Sequence, residues 1–115
     1  MSNSESKLPP PNRIGKRGTL TEPVTGNKKH FRVIDEVIQI QSDYPTKAIY
    51  LQKIEFEKDR RIELRFGYYI IGMKPGRFGK WVWGQFAPLM PIEDFERIVE
   101  EAKAKGLFDV IQRAG

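Results

Sequence analysis

The chain has 115 residues, no cysteine and a formal net charge of +5. This length suits one compact domain, and the lack of cysteine excludes a disulfide framework, a thiol nucleophile and any thiolate metal site. Near the start, MSNSESKLPPPNRIG has no apolar core of signal-peptide length, and no run reaches the roughly 18 apolar residues of a membrane span. The sequence therefore reads as a soluble, intracellular protein with no membrane partner.

The charge is unevenly spread. Residues 1–30 carry Lys7, Arg13, Lys16, Arg17, Lys28 and Lys29 against Glu5 and Glu22, while residues 31–115 are close to neutral. Within that second part, Lys47 to Lys80 is basic and its flanks are acidic. A basic strip on a balanced body suits an anionic partner. A soluble surface of mixed charge accounts for the same numbers without a partner.

Residues 1–30 hold Pro9, Pro10, Pro11 and Pro23 and few periodic apolar residues. Such a segment buries too little surface to offset its chain entropy, so a flexible basic arm is expected over 1–30, ahead of one α+β domain over 31–115. FRVIDEVIQIQ, from Phe31, is β-branched and reads as a strand, although its apolar spacing also fits a helix. After SDYPT comes KAIYLQKIEFEK, a strand with Tyr50, Ile54 and Phe56 on one face and Lys53, Glu55 and Glu57 on the other. A hairpin through Lys58 and Asp59 follows.

The clearest strand alternates Ile62, Leu64, Phe66, Tyr68 and Ile70 with Arg61, Glu63, Arg65, Gly67 and Tyr69. Gly72, Pro75, Gly76 and Gly79 mark a turning connection that carries Lys74, Arg77 and Lys80. KWVWGQF then reads as a further strand, with Trp81, Trp83 and Gln85 opposite Val82 and Phe86. From Pro91 the period changes to helical, with Phe95, Ile98, Val99 and Ala102 as the apolar stripe, acids at its start and Lys103, Lys105 and Gly106 at its stop. LFDVIQRAG closes the chain as a short helix or docking turn, with Leu107, Phe108, Val110 and Ile111 directed at the sheet or a second subunit. The sum is an antiparallel sheet of about four strands followed by a C-terminal helix.

Arg61 to Phe86 carries seven of the thirteen aromatic residues, interleaved with Arg and Lys. If the Ile62 to Ile70 series packs on the helix, Arg61, Arg65 and Tyr69 share the opposite face. Burying Val82 and Phe86 puts Trp81 and Trp83 on that face too. The outcome is a platform of Tyr69, Trp81 and Trp83 for bases, edged by Arg61, Arg65, Lys74, Arg77 and Lys80 for phosphates, as single-stranded nucleic acid requires. Trp is highly buried on average, so the same ladder also reads as core.

Catalysis finds little support. MKPGRFGK lacks the spacing of a phosphate-binding loop and leads toward a strand. His30 is the sole histidine. Glu55 and Glu57 form a two-carboxylate cluster, which on a hairpin reads first as cross-strand charge pairing and second as the divalent-ion site of a small metal-dependent nucleic acid enzyme, although the spaced Asp and Glu-x-Lys of a metal-dependent nuclease are missing. No enzyme activity and no cofactor are expected.

MKPGRFGKWVW, the following PIEDFERIVEEA and the preceding RRIELRFGYYI together resemble the transcriptional coactivator family positive cofactor four. Over some 60–70 residues the order is similar to that family's basic strand, Lys/Pro/Gly turn, strand and acidic helix start. WVWGQFAPLM is longer than the family's equivalent. The resemblance implies a Whirly-like fold, a homodimer and cofactor-free binding of single-stranded DNA, with Arg61, Arg65, Lys74, Arg77, Lys80 and Trp81 or Trp83 in the matching segments. The expected function is non-catalytic binding of single-stranded DNA or RNA in transcription or DNA maintenance. The alternative is a protein-interaction or adaptor module with the aromatic ladder as core.

Overall fold

A computed structural model describes residues 9–73 and 75–109. Five strands form one antiparallel sheet in sequence order: β1 (Arg17–Thr21), β2 (Lys28–Gln41), β3 (Tyr44–Phe56), β4 (Ile62–Ile71) and β5 (Trp81–Trp83). One helix, α1 (Ile92–Lys105), follows. The fold is thus α+β with a C-terminal helix, and the sheet is a curled half-barrel of five strands where about four were expected.

The additional strand lies within the stretch read as an arm. Arg17–Thr21 pairs with Arg32–Lys28, turned through Gly26 at φ 76°. Ahead of it, Gly15 N–H donates to Val33 O and Val33 N–H to Lys16 O. Low hydrophobicity misleads here because an edge strand needs few apolar side chains of its own: the ladder supplies hydrogen bonds, and Gly18 and Leu20 suffice to lie against Phe31 and its neighbours. Residues 1–8 lie outside the described residues.

Long β2 and β3 carry the sheet, and period two divides their side chains between two cores. On the convex face Val37, Ile49 and Leu51 pack with Ile98, Ala102 and Leu107. On the concave face Phe31, Val33, Ile54 and Phe56 cluster, joined by Leu20. A register shift between Val33 and Asp35 lets β2 switch phase, so that both Val33 and Glu36 point into the concavity.

The helix has no side-chain N-cap. Asp94, in its first turn, is fully buried and accepts hydrogen bonds from Ser42 N–H and Oγ at 2.9 and 3.1 Å, fastening α1 to the β2–β3 turn. At the far end Gly106 adopts φ 79° and closes the helix, as its position in the sequence anticipates. Lys105 reaches the Asp35 carboxylate and Glu36 O, at 2.8 and 2.6 Å. Phe95, expected in the buried stripe, is instead 48% exposed. Leu107 docks as anticipated, Phe108, expected to dock with it, is 39% exposed, and Val110 and Ile111 lie outside the described residues.

β5 is shorter than KWVWGQF suggested. It ends at Trp83, and Phe86, expected to be buried with Val82, is 79% exposed. Among the described residues, no helix is long and apolar enough to cross a membrane.

Candidate nucleic-acid interface

β4 places Arg65, Gly67 and Tyr69 opposite Gln52, Tyr50 and Ala48 of β3, and β5 places Trp83 opposite Tyr69. Alternation puts these side chains on the concave face, away from α1. Three of the sequence-selected residues, Arg65, Tyr69 and Trp83, therefore do come together.

They are packed on one another. Tyr69 and Trp83 meet edge to face with centroids 5.1 Å apart, and fully buried Tyr50 touches both, at 4.9 and 6.2 Å. The Arg65 guanidinium lies 4.2 Å from the Trp83 ring centroid and 5.0 Å from that of Phe31, between the two rings. Glycine makes this layering possible. A Cβ at Gly67 would stand 2.2 Å from the Trp83 ring, and one at Gly18 would stand 2.3 Å from Phe31. Each ring thus lies against bare backbone on the neighbouring strand.

Beneath the rings runs a polar chain. Arg65 Nη1 donates to Gln52 Oε1 at 3.3 Å, Gln52 Nε2 donates to Glu36 Oε1 at 3.0 Å, and Arg13 N–H donates to Glu36 Oε2 at 2.8 Å. Gln52 and Glu36 are buried, so these bonds replace the water each polar group has lost. Burial also lowers the pKa of Arg65, opposed by Tyr69. The Tyr50 hydroxyl donates to Pro11 O at 2.6 Å, and burial, reinforced by Glu36, raises its pKa above the usual phenol range. A cavity of about 240 Å³ on this face is lined in part by Arg13, Arg65, Tyr69 and Trp83.

The other selected residues lie elsewhere. Arg61, at the β3–β4 turn, pairs with Glu63 at 2.9 Å and lies 5.8 Å from the Phe56 ring centroid. Trp81 is half-buried and pairs with Ile71. Arg77 and Lys80 are exposed on the β4–β5 connection, where Gly76 and Gly79 take φ 84° and 76°. Lys74 lies outside the described residues.

Phe78 is the residue the strand pattern passed over. It stands between Arg77 and Lys80 and is 64% exposed. Its neighbourhood in sequence, an aromatic residue between two glycines and two cations, is a readable signal, but period-two reasoning attends only to strands. Arg13 was likewise assigned to the arm.

The carboxylates diverge. Glu55 is ion-paired with Arg60, whose φ of 63° turns the hairpin, and Glu57 with Arg17 at 2.8 Å. Among the described residues no group of three or more His, Asp or Glu is arranged to hold a metal. None of the family models, curated proteins or solved structures compared with the chain matches it, so its chemistry is read from its own residues.

Proposed function

We propose that this domain binds single-stranded nucleic acid without catalysis, using the β4–β5 connection and the adjoining concave face. The observation that carries the reading is Phe78, an exposed ring flanked in sequence by two exposed cations on a loop whose glycines fix its turn. A ring in that position has an open face for a base, while Arg77 and Lys80 are spaced for phosphates. Trp83 serves differently, because Arg65 already occupies one of its faces and the ring lies over Gly67, within the sheet. Similarity of the segment to positive cofactor four favours DNA and a role in transcription.

Anisotropy titration with single- and double-stranded oligonucleotides tests the proposal. Phe78→Ala is expected to weaken single-strand binding by about 1–3 kcal/mol while leaving thermal stability unchanged. Unchanged affinity in the folded variant, or no binding by the native chain, overturns it.

A second reading, a protein-interaction module, is favoured by a different surface. Leu64, Phe66, Leu89, Ile92 and Phe95 are all exposed, and Phe66 and Phe95 touch edge to face at 6.0 Å. Exposed apolar side chains in contact, as Phe66 and Phe95 are, mark a contact surface.

A further inference from the structure

The β4 strand has a half-open edge. Phe56 N–H donates to Arg61 O, which sets the phase of the β3–β4 ladder: the backbone groups of the odd-numbered residues Arg61, Glu63, Arg65 and Gly67 point to β3. Those of the even-numbered residues point away. β5 meets only Tyr69, Ile70 and Ile71, and Gly84 N–H takes up Tyr68 O just beyond it. The N–H and C=O groups of Ile62, Leu64 and Phe66 therefore line an edge that no strand covers among the described residues. Such an edge is a template for another strand unless charge, proline or a bulge blocks it. Here no proline interrupts Ile62–Ile71, and Leu64 and Phe66 are 51% and 37% exposed beside it.

We propose that this edge pairs with its own copy, the two β4 strands running antiparallel about a two-fold axis at Leu64 to join two half-barrels into one continuous sheet. The occupant follows from register. Only even residues carry outward groups, so only even residues can face each other in hydrogen-bonded pairs. Centring on Leu64 places Leu64 opposite the partner's Leu64 and Ile62 opposite the partner's Phe66. Every outward N–H and C=O of Ile62, Leu64 and Phe66 then finds a partner. A shift by two residues in one direction sets Glu63 against the partner's Glu63 and faces Phe66 with Arg60, a turn residue at φ 63°. A shift in the other direction sets Arg65 against the partner's Arg65 and directs Ile62 to Tyr68, whose carbonyl already accepts Gly84 N–H.

Centring on Leu64 is also the register with chemistry matched on both faces. Ile62, Leu64 and Phe66 meet their counterparts on the convex side, and Glu63 lies opposite Arg65 rather than its own kind. The pairing uses neither Phe78 nor Arg77, so it stands independently of the nucleic-acid reading.

The chain contains no cysteine, which makes the test specific. Directly opposed residues of a hydrogen-bonded antiparallel pair have Cα atoms about 5.5 Å apart, within disulfide reach. Under mild oxidation the Leu64→Cys chain is expected to give a cross-linked dimer in high yield, and Phe66→Cys much less, because Phe66 faces the partner's Ile62. Sedimentation of the native chain at high micromolar concentration should show a dimer. Leu64→Pro removes an N–H that no ladder among the described residues uses, and is expected to remain folded by circular dichroism and to sediment as a monomer; Glu63→Arg, at an exposed position, should weaken association as a second variant. A native monomer overturns the proposal, as does equal cross-linking at both positions or a dimer unaffected by both Leu64→Pro and Glu63→Arg. A monomer whose Leu64 amide is nevertheless protected from exchange would assign the edge to the chain's own residues 110–115.

Discussion

Arg65 combines two tasks that a simpler surface would divide. Its guanidinium fills the gap between Trp83 and Phe31 and also ends the polar chain from Glu36, so its charge is held by packing and hydrogen bonds together. Gly67→Ala is expected to push the Trp83 ring off this site at a cost of about 1–3 kcal/mol, measured by denaturant unfolding, because the added Cβ would stand 2.2 Å from the ring and displacing it breaks its contact with Arg65. Tyr50 gives a pH signature. Its folded-state pKa is raised, so above the ordinary tyrosine value of about 10 the unfolded chain loses this proton while the folded chain keeps it. Stability must therefore fall as pH rises through that region. Tyr50→Phe, which also gives up the bond to Pro11 O, should flatten the alkaline decline measured by thermal melts at stepped pH.

At the scale of elements, β1 and α1 are attached by different means. β1 contributes a ladder to β2 and little apolar surface, with the exposed Arg17–Glu57 pair spanning to the end of β3. α1 buries Ile98 and Ala102 and is anchored at its first turn by Asp94. Deleting residues 1–21 should expose Phe31 and the β2 edge, lowering stability and promoting association. Deleting residues 1–8 removes none of these contacts. The two truncations, compared by thermal unfolding and light scattering, separate the roles of the two stretches. Asp94→Ala is expected to cost about 1–3 kcal/mol, since Ser42 N–H loses its acceptor in a partly buried position.

For the whole molecule, charge gathers on the exposed connection that follows β4, from which Arg77 and Lys80 project. If phosphates bind there, log affinity falls linearly with log salt, by about 0.7 per neutralised phosphate on a single strand. Replacing both Arg77 and Lys80 with Ala should make that slope shallower as well as weaken binding. An unchanged slope would place the phosphate contacts elsewhere.

Period-two alternation in β4 was enough to put Arg65 and Tyr69 on one face, and the change to a helical period at Pro91 with the Gly106 stop was enough to delimit α1. Both are local properties, set by backbone geometry within a few residues. Composition could not reveal β1, because an edge strand takes its stability from a partner ladder that is distant in sequence, not from its own apolar content. Nor could it reveal that Trp83 lies flat over Gly67 with Arg65 on its face, or that β5 stops early and leaves Phe86 in water. Those depend on which strands become neighbours and on how far the sheet curls. Sequence alone determined the faces and the helix. The tertiary structure decided which rings are spent on one another and left Phe78 in the open, because packing is settled between segments and not along them.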